Sequence, residues 1–104
     1  MNHRISILIV DDELSVRDSL YNWFIEDGYA VECAEDAKKA LSILESQDFD
    51  IILADIKMPG MDGMEMLRRI KAIKKESVVI MMTAFATVDT AVQALKEGAF
   101  DYVT

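Results

Sequence analysis

The sequence predicts an α/β fold of the three-layer kind, a parallel sheet covered by helices, with strand and helix alternating as (βα)4β. Two observations carry this. Five short apolar runs recur along the chain: Ile5–Val10, Tyr29–Ala34, Asp50–Ala54, Val78–Met82 and Phe100–Val103. Three of them, ISILIV, DIILA and VVIMM, are almost continuously apolar and rich in Ile and Val, the pattern of strands buried on both faces. The segments between the runs carry apolar residues at helical spacing, as right-handed crossovers between parallel strands require.

The elements follow in order. After the first run, Val16, Leu20, Trp23 and Phe24 fall at i, i+4, i+7 and i+8, one stripe of a helix that Gly28 ends. Trp23, on that stripe, is expected in the core. After the second run, Ala37, Ala40, Leu41 and Leu44 form a stripe with Asp36 as N-cap. Met64, Leu67 and Ile70 begin a third helix, and Val88, Ala91, Val92 and Leu95 a fourth, closed near Gly98. Lys71, Lys74, Lys75 and Glu76 read as a solvated helix end. The fifth run stops at Thr104 with no helix after it, so residues 1–104 read as one domain truncated at its C-terminal end. Apolar sheet surface is then expected to be exposed near the first and fifth strands, favouring association or strand exchange.

The bulk composition narrows the function. At 104 residues the chain holds one core, and 52% hydrophobic with 29% charged residues is ordinary for a globular domain. No apolar run approaches the roughly 20 residues of a membrane span, and no signal-peptide pattern opens the chain. The single cysteine, Cys33, fits a reducing cytoplasm. A formal net charge of −8 argues against direct contact with nucleic acid or an anionic membrane.

In open α/β sheets, ligands bind outside the carboxyl ends of the strands. There the first strand ends in Asp11-Asp12-Glu13, the third in Asp55 and the fourth in Thr83-Ala84. Clustered carboxylates repel one another, and a hard divalent cation relieves the repulsion. Oxygen ligands without His or Cys point to Mg²⁺ rather than zinc. The bland alternative is a solvated acidic rim; three aspartates at one end of two strands favour the cation. Such a pocket suits phosphoryl transfer, which needs positioning and charge neutralisation more than proton transfer. An ionised aspartate is a nucleophile without a general base, and the Thr83 hydroxyl at the rim can donate to an arriving phosphoryl oxygen.

The strings ILIVDDE, DIILADIKMPGMDGMEML and VVIMMTAFATVDTAVQALKEGAFDYVT together resemble, along essentially the whole chain, the receiver domains of two-component response regulators. The last of them is most similar to receivers of NtrC-type regulators, whose outputs are sigma-54-dependent ATPases that bind DNA. The resemblance implies a flavodoxin-like sheet of order 2-1-3-4-5. It implies Asp55 as phosphoacceptor, Asp11 and Asp12 with Asp55 as Mg²⁺ ligands, and the Lys57 backbone carbonyl completing the protein's metal ligands. Thr83 is then the switch hydroxyl and Tyr102 the aromatic that turns inward after phosphorylation. The lysine that receivers carry directly after the position of Thr104 falls beyond the end of the sequence. The implied partners are a sensor histidine kinase, an output domain or downstream protein, and a second copy in a homodimer. The chain is expected to catalyse only its own phosphorylation and dephosphorylation.

Three other readings compete. A haloacid-dehalogenase-type phosphatase needs D-x-D after the first strand, where this chain has Asp11-Asp12-Glu13. A flavodoxin-type cofactor carrier needs a Ser/Thr/Gly-rich loop there instead of acids. A pseudo-receiver that works without phosphorylation is opposed by Asp11, Asp12, Asp55 and Thr83.

Overall fold

The structure is a computed structural model that describes residues 4–55, 63–74, 76–82 and 88–103. The elements are β1 (Ser6–Val10), α1 (Leu14–Glu26), β2 (Ala30–Ala34), α2 (Ala37–Ser46), β3 (Ile51–Asp55), α3 (Gly63–Ile73), β4 (Val78–Met82), α4 (Val88–Lys96) and β5 (Asp101–Val103). All strand pairs are parallel, in the order β2-β1-β3-β4-β5, with β5 joined to β4 over three residue pairs. Helices over a parallel sheet give the flavodoxin-like class that the sequence led us to expect. No described helix is long and apolar enough to cross a membrane.

Local chemistry sets the helix ends. Asp36 caps α2, its carboxylate accepting the Lys39 N–H at 2.8 Å. α1 closes where Gly28 takes φ +92°; the Gly28 and Tyr29 N–H groups donate to the Ile25 and Phe24 carbonyls, each at 3.0 Å. Tyr29 then packs edge-on against Phe24, ring centroids 5.8 Å apart, the apolar contact that accompanies this closure. Gly98, at φ +106°, closes α4 in the same way: Ala99 N–H reaches the Ala94 carbonyl, and both alanines are buried. A side chain there would also press on the Lys71 stem, 3.2 Å from the position of a Cβ. Lys71 is not part of a solvated helix end as expected; it is half-buried, and its ammonium donates to the Ser77 carbonyl at 2.8 Å.

The core fills one side of the sheet. Leu8, Val10, Ile52, Ala54, Val79 and Met81 meet Ala37, Ala40 and Leu44 of α2 and Met64, Met66, Leu67 and Ile70 of α3. On the other side the cover is uneven. Ile7 and Ile9 are buried, and α1 lies against β1 and β2. Ile51, Leu53, Ile80 and Met82 are only half-buried. The less covered surface therefore runs over β3 and β4 to β5, where Val103, paired with Met82, is exposed as expected for the fifth strand. Beside the first strand the expectation fails, because α1 shields β1.

Two helical stripes also differ from expectation. Trp23 is 65% exposed, and α1 has no fully buried residue. The inward side of α1 runs through half-buried Val16, Arg17, Leu20 and Phe24; Trp23 lies to the flank of that line at 100° per residue. In α4 the buried residue among the described side chains is Ala94, while Val92 and Leu95 are exposed. Val92 sits two residues, about 200°, round the helix from Ala94, on its outer side.

Candidate functional site

The acids meet because of the β1–β3 register. At the start of the two strands Ser6 and Asp50 bond reciprocally. The Asp50 carboxylate accepts the Ser6 N–H at 2.8 Å, and the Asp50 N–H donates to the Ser6 hydroxyl at 3.0 Å. Ile7 then pairs with Ile51 and Val10 with Ala54, so the following residues, Asp11 and Asp55, fall side by side. Asp11, Asp12 and Asp55 each bring a carboxylate oxygen to within 4.8 Å of the others, at the carboxyl edge of the sheet.

The three environments differ. Asp11 is 5% exposed; Asp12 is exposed and Asp55 half-buried. The Asp11 N–H extends the β1–β2 ladder to the Ala34 carbonyl at 3.1 Å, and its Oδ1 accepts the Glu13 N–H at 2.9 Å. Burial pushes the Asp11 carboxyl above its usual range, and the charges of Asp55, Asp12 and Glu13 push it further; only the Glu13 N–H acts the other way. An all-oxygen cluster of three acids, one of them buried against its own ionisation, fits a hard divalent cation.

The chain matches the response regulator receiver domain family over residues 7–104. It belongs to that family. It is 45% identical over 97 residues to the regulatory protein AtoC of Escherichia coli K12, an alignment spanning 93% of this chain and 21% of AtoC. A response regulator of Burkholderia pseudomallei, solved with a phosphorylated aspartic acid and a calcium ion, superposes with TM-score 0.90 at 26% identity, over 95% of this chain and 58% of that one. The beryllofluoride-activated NtrC4 receiver domain dimer superposes with TM-score 0.89 at 37% identity over 94% of this chain and 81% of that one. The chain spans about a fifth of the length of the curated relatives it matches first. It is thus a receiver domain of two-component signalling, and its relatives include transcriptional regulators.

Of the site residues expected from sequence, the structure brings together Asp11, Asp12 and Asp55. Lys57 and Thr83 lie outside the described residues. Tyr102 is in β5, opposite Met81 of β4, with its side chain outside the description. One neighbour of the cluster went unread in the sequence: Arg17, whose Nη1 donates to the Asp11 carbonyl at 2.7 Å. Its one signal was a charged residue beside Val16 on the inward side of a helix.

Proposed function

We propose that Asp55 accepts a phosphoryl group from the phosphohistidine of a sensor histidine kinase, beside a Mg²⁺ ion held by Asp11, Asp12, Asp55 and the Lys57 carbonyl. The observation that carries this is the convergence of the three carboxylates, with the half-buried Asp55 at the end of the central strand. An Asp55 carboxylate oxygen attacks phosphorus in line. The new P–O bond forms as the P–N bond breaks, and the imidazole leaves with the electron pair and takes a proton from solvent. Bound Mg²⁺ supplies positive charge that offsets the gathering oxyanions. The product is a mixed acyl phosphate, which water cleaves to restore the carboxylate.

In the same reading Thr83 moves to the phosphoryl group and Tyr102 turns inward behind it, so phosphorylation biases the surface of α4 and β5 between two states. Val92, Leu95, Phe100 and Val103 lie exposed there. That surface would meet an output domain, a downstream protein or a second copy of the chain, in the cytoplasm, and the output would be transcription. The B. pseudomallei regulator with its phosphorylated aspartate and cation, and the NtrC4 dimer, support these steps by likeness.

Intact mass tests the reading. Incubated with acetyl phosphate and Mg²⁺, the chain should gain one phosphoryl group, with none gained by Asp55→Asn or in the presence of chelator. Equal gain by Asp55→Asn would refute the assignment.

A further inference from the structure

The turn between β1 and α1 carries two of the three acids, and its backbone is held on both sides of Asp11. The N–H is tied to the Ala34 carbonyl at 3.1 Å, and the carbonyl to Arg17 Nη1 at 2.7 Å. We propose that Arg17 is a positioning residue of the cation site, fixing the peptide between Asp11 and Asp12 rather than meeting the ion; this rests on the cluster's being a Mg²⁺ site.

That peptide is planar, so pinning its oxygen restrains ψ of Asp11 and φ of Asp12. Those are the rotations that aim the Asp12 carboxylate. Asp11 is already fixed by burial and by the Glu13 N–H. Asp12 is exposed, where packing does little to hold it. The clamp is itself rigid: Arg17 is half-buried, and its backbone N–H closes the first turn of α1 on the Glu13 carbonyl at 3.1 Å. A charged donor makes a stronger bond to a carbonyl than a neutral one. The placement also has a cost that calls for a function, since Arg17 occupies the inward side of α1 among Val16, Leu20 and Phe24. Groups that orient metal ligands commonly change metal affinity about 10- to 100-fold when lost.

Calorimetric titration with Mg²⁺ alone tests this on the chain, Arg17→Met and Arg17→Lys, alongside urea unfolding without metal. Methionine keeps an unbranched stem and loses the donor; lysine keeps a charged donor. Arg17→Met should bind Mg²⁺ at least about tenfold more weakly. Arg17→Lys should recover most of the affinity, although the two variants unfold at similar urea concentrations. Binding by Arg17→Met within about twofold of the parent would overturn the proposal. So would equal losses in both variants that follow a shared fall in stability, the mark of a merely structural residue. Absence of Mg²⁺ binding by the parent would instead overturn the cation-site reading on which the proposal stands.

Discussion

Asp11→Asn is expected to make the metal-free chain more stable at pH 7 while removing most of its affinity for Mg²⁺. The two effects share one cause. Carboxylate oxygens of Asp11, Asp12 and Asp55 lie within 4.8 Å of one another, and at that distance two unit charges repel by about 3 kcal/mol in an effective dielectric of about 20. Solvent around Asp12 and Asp55 screens part of this, so the expected gain is about 1–2 kcal/mol. The substituted side chain keeps an oxygen for the Glu13 N–H, so the turn retains its bond. For the ion the sign reverses, because one of three ligand charges is gone. A weakening of at least about tenfold is expected.

The pH dependence follows from the raised Asp11 pKa. The folded state holds this proton more tightly than the unfolded chain, where the pKa is about 3.9. Asp11 therefore favours folding fully below that ordinary value, and the contribution is lost as pH rises through the raised folded pKa. The stability advantage of Asp11→Asn should appear over the same interval and vanish in acid. Urea unfolding of both proteins between about pH 4 and 7, with and without Mg²⁺, checks it. A variant less stable than the parent at pH 7 would mean that the cluster is not strained by its own charge.

The second large effect separates the two faces of the sheet. Ile52 and Leu53 are neighbours on β3 and point to opposite sides. Ile52 is fully buried against the α2–α3 core, whereas Leu53 is half-buried on the less covered side. Ile52→Ala should cost about 2–5 kcal/mol, a large part of the stability of a domain this size. Leu53→Ala should cost about 1–2 kcal/mol, since part of its surface already meets water. Urea midpoints give both values. Equal costs would indicate that the β3–β4 surface is covered in solution, and sedimentation would then show whether a second copy covers it.

Much of this was legible in the sequence because its signals are local. Continuous Ile/Val runs mark strands of a helix-covered parallel sheet, although only β1 is enclosed on both faces while β3 and β4 are half-buried on one. Asp36, Gly28 and Gly98 mark helix ends through their own backbone chemistry. Apolar spacing gives a stripe along a helix but not the line of it that meets the sheet. Hence Trp23 stands at the flank of α1, and Val92 and Leu95 on the outside of α4. The site was legible in part. Each acid announces itself at the end of an apolar run, but the meeting of Asp11 with Asp55 depends on β3 lying beside β1, which pairing across the sheet decides. Arg17 was harder still: its partner is a backbone carbonyl, which no sequence pattern displays.

Mapping the modified residue decides whether Asp55 carries the phosphoryl group. The chain is incubated with acetyl phosphate and Mg²⁺, reduced with borohydride, which converts an acyl phosphate to the alcohol, and digested for peptide mass spectrometry. Reduction at residue 55 alone, absent when Mg²⁺ is chelated, is the predicted result. Reduction at Asp11 or Asp12, or at no carboxylate while the intact chain is phosphorylated, would contradict it.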